Sequence, residues 1–172
     1  QCIHISNDAA CFLRGEIMPR IPSNYNTAIG ITLGTGLGTS YYKNGEAADA
    51  DLWCMPFRSG IAEDYISTRW FLSRYHELAH KRLPDVKALS LLHHSCTYAR
   101  QVFEEFAGNL SAFLALFAQK NNPDIIVIGG NIAKAASFFL QATEAKLSEM
   151  GINIPLHTAT LGEDALIFGA VL

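Results

Sequence analysis

A chain of 172 residues with 49% hydrophobic and 17% charged side chains is too apolar for a disordered tail and too poor in cysteine for a disulfide-stapled miniature; one domain, burying roughly 70% of its unfolded surface, is the default. Lys plus Arg number 13 against 16 for Asp plus Glu, a formal charge of −3, so no basic stripe is available to neutralise a run of nucleic-acid phosphates. The longest apolar run, residues 110–118, is about half of a bilayer span, and Cys2, Cys11, Cys54 and Cys96 form no Cys-x-x-Cys pair; with no signal-type opening segment, these features suit a soluble protein of the reducing cytoplasm.

Residues 2–6 have β character, and Asn7-Asp8 would cap a helix over residues 9–17 that Met18-Pro19 stops. Because the chain opens at Gln1 on strand-like residues, it is expected to be part of a longer protein. Residues 27–33 are rich in β-branched side chains, residues 34–38 are punctuated by glycine, and strand character resumes over 39–43 before the Asn44-Gly45 turn, so the stretch reads as a hairpin. Residues 46–60 have neither period and are expected to be irregular. Apolar positions recur at helical spacing over 61–82, and 86–120 holds one or two more helices beyond Pro84. Residues 124–128 read as a buried strand with a tight exit at Gly129-Gly130, followed by a helix over 132–150, a strand over 152–157 and a last helix from 163.

Gly34-Thr35-Gly36-Leu37-Gly38 carries the strongest chemical signal. Glycines let backbone amides approach an anion and the threonine hydroxyl can donate, which makes a phosphate cradle, although a plain glycine-rich hairpin turn has the same composition. The glycines run G-x-G-x-G into strand-forming Thr39-Ser40-Tyr41-Tyr42, which disfavours a dinucleotide fold, and no Gly-Lys-Ser/Thr follows to make a P-loop. Gly129-Gly130 sits where a strand hands over to a helix. It could face a nucleotide, or be glycine only for steric reasons. Asp8, in a strand-to-helix corner, is a candidate base for an attacking hydroxyl; the alternative is that Asn7 or Asp8 merely caps the helix.

The ordered set Asn7-Asp8-Ala9, Gly15-Glu16, Leu33 to Thr39, Asn44-Gly45, Ile126-Val127-Ile128-Gly129-Gly130, Leu161-Gly162-Glu163-Asp164-Ala165 and Gly169-Ala170 resembles the ROK family, which holds sugar kinases, including bacterial glucokinases, and sugar-responsive repressors. The resemblance runs essentially end to end. It implies an α/β fold, the larger lobe of the actin-like (ribonuclease H-like) ATPase architecture: a mixed sheet with a β-hairpin phosphate loop and flanking helices. It also implies ATP-dependent phosphorylation of a sugar hydroxyl, with magnesium brought by the nucleotide. By this resemblance Asp8 is the catalytic base and Asn7 a sugar ligand, Gly34, Thr35, Gly36 and Gly38 hold phosphate, and Gly129 and Gly130 lie on the adenosine side. Relatives often pair through this lobe, so a homodimer is expected by similarity.

Three departures bear on function. Where the family carries Glu-x-Gly-His, this chain reads Asp51-Leu52-Trp53-Cys54: the aspartate is one methylene shorter, and the thiol is a weak donor where imidazole was a directional one. Asp51, Cys54 and Glu63 remain the candidate sugar ligands, while Trp53 could either face the sugar or simply pack. Many relatives bind a structural zinc through a cysteine-rich loop, but residues 56–63 contain no cysteine, so no zinc is expected there. The family's preceding smaller lobe, with its own phosphate loop, has no counterpart in this sequence; the whole chain is read as the C-terminal lobe, inactive or nearly so alone.

Two competing classes deserve weighing. His76-Glu77-Leu78-Ala79-His80 satisfies His-Glu-x-x-His, in which two imidazoles one helical turn apart bind zinc, as in metallopeptidases. No third ligand follows at the offset the longer motif needs, and a solvated helix face explains the pattern, as surface or packing roles explain His93-His94. The altered Asp51 and Cys54 would also suit the sugar-sensing half of a ROK-type repressor, whereas Asp8 and the glycine loop favour a kinase.

Overall fold

The computed structural model describes residues 7–17, 25–162 and 164–171; the strand expected over residues 2–6 and the helix stop at Met18-Pro19 lie outside them. β1 (Thr27–Leu33) and β2 (Leu37–Lys43) form the expected hairpin, antiparallel from Thr27 opposite Lys43 to Leu33 opposite Leu37. Its tight end is the glycine turn, where the Gly34 N–H donates to the Gly36 carbonyl at 3.1 Å. Strand structure resumes two residues earlier than expected, and Gly38 lies inside β2 opposite Thr32, where any Cβ would fall on the Thr32 hydroxyl.

β3 (Glu46–Asp49) pairs antiparallel with β2 after a turn in which Asn44 and Gly45 take φ of 54° and 89°. This corrects the expectation of irregular structure from residue 46. Glu-Ala-Ala-Asp has little β propensity of its own; the two positive-φ residues twist the chain back so that pairing with β2 imposes the strand. β4 (Pro56–Phe57) and β5 (Gly60–Ile61) make a small separate ribbon.

β6 (Ile125–Gly129) lies parallel to β1 and β7 (Leu156–Thr158) parallel to β6, giving the mixed order β3-β2-β1-β6-β7. β7 begins later than expected: Pro155 has no N–H for the ladder and contributes only its carbonyl, which accepts from Ile126 N–H at 3.0 Å. Every residue of β6 is buried, as a strand covered on both faces should be.

The period of two divides the sheet between two layers. Ile29, Ile31, Leu33, Ile126 and Ile128 join a large core with Phe103, Phe106, Phe113 and Phe117 of α5 (Thr97–Asn121). Ala28, Ile125 and Val127 meet Phe12, Leu13 and Ile17 of α1 (Asp8–Ile17) and Ala165 of α7 (Asp164–Val171).

The helical middle third is broken more often than its periodicity predicts, into α2 (Ala62–Tyr65), α3 (Thr68–Ala79) and α4 (Val86–Leu91) before α5. The helix expected over 132–150 is a 3₁₀ segment, Ile132–Phe138, followed by α6 (Leu140–Glu149). Ala135 leaves helical geometry at φ −101°, ψ 16°, and Phe139 sits at the break with its ring buried edge-on against Phe106, centroids 5.0 Å apart. Burial of that ring decides the path of the backbone, which local propensity could not show. Among the described residues no helix is long and apolar enough to cross a membrane.

Candidate active site

The corner before α1 divides its work between two side chains. Asn7 Oδ1 accepts from the Ala9 N–H at 2.8 Å and the Asn7 carbonyl from Cys11 N–H at 3.0 Å, so Asn7 closes the helix start. Asp8 is exposed and lines a cavity of about 530 Å³ together with Phe12, one turn further along α1, and with Thr32, Gly130, Asn131 and Lys134. The cap is thus supplied without the Asp8 carboxylate.

A second cavity, of about 620 Å³, is lined by Thr32, Gly34, Thr35, Gly36, Gly38, Trp53, Glu63, Gly130 and Asn131. The two share Thr32, Gly130 and Asn131, so Asp8 and the glycine turn border adjoining parts of one crevice. Gly130 explains the junction: it sits at φ 87°, and a Cβ there would strike the backbone of Leu33. The exit of β6 therefore presses directly on the end of β1, which only glycine allows. Gly129 does not line either cavity; a side chain on it would collide with the Phe12 ring, so it admits the packing of α1 on the sheet.

Glu63, near the start of α2, reaches the glycine turn. Its Oε2 accepts from Leu37 N–H at 3.1 Å, and a Cβ on Gly36 would lie 2.7 Å from the same oxygen. The turn is held from outside as well, the Thr68 N–H donating to the Gly34 carbonyl at 2.8 Å. Segment 50–55 is pinned by Thr39, whose hydroxyl accepts from Leu52 N–H at 3.0 Å and whose carbonyl accepts from Ala50 N–H at 3.0 Å.

Within that segment the two altered motif residues stand apart from the crevice. Asp51 is exposed at φ 50°, and its Oδ1 accepts from the Trp53 indole N–H at 2.8 Å. Cys54 is exposed and lines neither cavity, whereas Trp53 lines the one beside the glycine turn. The structure thus brings together Asp8, Gly34, Thr35, Gly36, Gly38, Glu63 and Gly130 of the sequence-derived set, and leaves Asn7, Asp51, Cys54 and Gly129 outside the lining.

Thr32, Asn131, Lys134 and Asp164 also line the two cavities and are absent from the sequence-derived set, although Thr32 and Asn131 directly adjoin the two glycine motifs. The His-Glu-x-x-His pattern does not form a helical pair, since α3 ends at Ala79 and His80 takes a left-handed φ of 53°. No group of three or more His, Cys, Asp or Glu among the described residues is arranged to hold a metal.

One buried acid fixes another part of the wall of the Asp8 cavity. Glu16, two turns along α1 and 5% exposed, accepts from the N–H groups of Thr160 and Leu161 at 3.0 and 2.7 Å and from the Thr160 hydroxyl at 3.3 Å. Leu161 and Gly162 then line the Asp8 cavity. Glu16→Ala strips the Leu161 amide of its carboxylate acceptor and opens a void, and is expected to lower unfolding free energy by about 2–4 kcal/mol in urea titrations. Glu16→Gln should show a smaller loss, because one carbonyl oxygen remains to accept.

The mixed sheet covered by helices on both faces has the actin-like ATPase fold of ROK structures. The ROK family model matches residues 47–172, and the chain belongs to that family. N-acetylgalactosamine kinase AgaK of Shewanella sp. (strain ANA-3) is 25% identical across 99% of this chain and 64% of its own length. The ROK glucokinase of Streptomyces griseus, solved with glucose and AMPPNP, superposes with a TM-score of 0.75 at 21% identity, covering 96% of this chain and 66% of that one. A ROK transcriptional regulator, homolog of the E. coli MLC protein, gives a TM-score of 0.78 at 17% identity over 96% of this chain and 50% of its own. The chain spans less than two thirds of the length of its first curated relatives.

Proposed function

We propose that this chain is the larger lobe of an ATP-dependent sugar kinase, working with a smaller lobe elsewhere in the full protein. The observation that carries the reading is the crevice in which a capless carboxylate, Asp8, and the glycine turn share the walls Thr32, Gly130 and Asn131. A sugar hydroxyl placed beside Asp8 gives its proton to the carboxylate as its oxygen attacks the γ-phosphorus. The bond to the β,γ-bridging oxygen breaks, and ADP leaves with that electron pair.

The residues present fit a nucleotide. Gly34 has open space where a Cβ would stand, the nearest atom being 4.0 Å away, and Thr35 borders the turn cavity and a third cavity of about 650 Å³ beside α4. Phosphate can therefore approach the turn's backbone while the nucleoside lies toward Thr68, Val86 and Ser90. Magnesium, arriving with ATP, would supply neutralisation of phosphate charge. Glu63 and Trp53 are the sugar-side groups in the lining, with Asn7 and Asp51 close in sequence to Asp8 and Trp53.

The full-length protein, given γ-labelled ATP and a panel of hexoses and N-acetylhexosamines, should transfer label to at least one sugar. A second reading, a sugar-sensing repressor domain, is favoured by Asp51 being engaged with Trp53 rather than free and by the regulator among the structural neighbours. It predicts no transfer to any sugar, with sugar binding altering affinity for operator DNA.

A further inference from the structure

The crevice is rich in negative charge. Asp8, Glu63, Asp85 and Asp164 border its three cavities, against Lys87 and Lys134. A polyphosphate drawn into such a site meets repulsion from each carboxylate, so the placement of the cations decides where its charge can rest.

Lys134 alone among the cations in these linings borders both the Asp8 cavity and the cavity beside α4 that Thr35 enters. Its Nζ donates to Asn131 Oδ1 at 2.9 Å, and Asn131 lines all three cavities. The pair is set by the 3₁₀ segment that follows Gly130, with the lysine three residues after the asparagine. One of the three ammonium protons is spent on Asn131, leaving two for a ligand. Lys87 borders only the cavity beside α4, so it cannot serve the reacting end in the same way.

Resting on the kinase reading, we propose that Lys134 is the protein cation that binds the nucleotide's phosphate chain, spanning from the Asp8 side to the nucleoside side and holding the diphosphate as it departs. Lysine suits this task as a compact charge able to follow the phosphates while the γ-phosphoryl moves. Asn131 is its positioning partner: its Oδ1 holds the ammonium where the cavities meet.

The test is calorimetric titration of the full-length protein and its Lys134→Met variant with ADP, with adenosine and with the accepted sugar. The variant should bind ADP about ten- to a hundredfold more weakly, the loss of charge-assisted contacts, while adenosine and sugar affinities stay unchanged. The ADP affinity of the wild type should also fall more steeply with added salt than that of the variant. Lys134→Arg should recover part of the affinity. Equal ADP affinity in wild type and Lys134→Met would overturn the assignment and leave the kinase reading standing. An equal loss for adenosine would also overturn it, by showing that Lys134 only supports the loop. A wild-type protein that binds no ADP at all would defeat both readings together. Lys134 is exposed, so an unchanged thermal melt is expected and separates binding from folding.

Discussion

Asp8→Asn in the full-length protein is expected to cut turnover roughly a hundred- to ten-thousandfold, the usual contribution of a positioned general base. Asparagine has nearly the same shape and keeps an oxygen to accept a hydrogen bond, but it cannot take up the proton that the proposed kinase reaction delivers to position 8. The loss therefore falls on the transition state, so kcat should drop while the sugar dissociation constant, measured by calorimetry, changes little. The geometry makes this a clean substitution. Asn7, not Asp8, accepts from the Ala9 amide, so the helix start keeps its cap, and losing one charge in the first turn costs only about 0.3–1 kcal/mol of dipole interaction. An equal fall in sugar affinity would make Asp8 a ground-state ligand, and turnover matching the wild type would remove it from the chemistry altogether.

The corner that carries Asp8 and the hairpin that carries Thr35 were both legible in the residues, because capping and glycine turns are local problems with few solutions. What the sequence could not show was which of Asn7 and Asp8 does the capping, since either side chain can reach the same amides; the cavity on one side of α1 separates them. Nor could it show that Gly130 leans on the Leu33 backbone, a contact between residues far apart in the chain that joins the two glycine motifs into one crevice. The lysine at position 134 was hidden for a related reason. Periodicity predicts a continuous helix there, on which it would be an ordinary surface residue, whereas the break at Phe139 and the 3₁₀ geometry before it belong to tertiary packing.

The Asp51-Trp53 pairing was equally out of reach. It depends on Asp51 entering the left-handed region at φ 50°, which an aspartate tolerates better than most residues but nothing in the neighbouring sequence demands. β3 was missed because its strand is imposed from outside by its partner, and α3 was overextended because His80 reads as one more helical position until its backbone turns over. These errors share a cause: each concerns a residue whose conformation is decided by what packs on it or pairs with it rather than by its neighbours in the chain.

Two of the motif glycines away from the crevice, Gly15 and Gly169, lead to the strongest effect on folding. α1 and α7 cross so closely on one face of the sheet that a Cβ on Gly15 would coincide with the Ala165 carbonyl, and one on Gly169 with the Cys11 carbonyl. In both cases the obstacle is backbone, which cannot swing aside as a side chain would, so even one methyl group must drive the helices apart. Ala9, Cys11, Phe12 and Leu13 are buried on α1 and Ala165 on α7, so separation also opens that layer to solvent. Gly15→Ala and Gly169→Ala are each expected to cost about 3 kcal/mol or more, the upper end of overpacking, and Gly15→Val to abolish cooperative folding. The helices carry Asp8 and Asp164, both on the lining of one cavity, so activity should fall with stability in these variants. Gly108→Ala provides the contrast: it lies in α5 with open space around its missing Cβ, and helix propensity alone should make that variant more stable by up to about 1 kcal/mol. Urea melts of the three alanine variants test the argument, because a general intolerance of glycine replacement would lower all three, whereas helix crossing lowers Gly15→Ala and Gly169→Ala and raises Gly108→Ala.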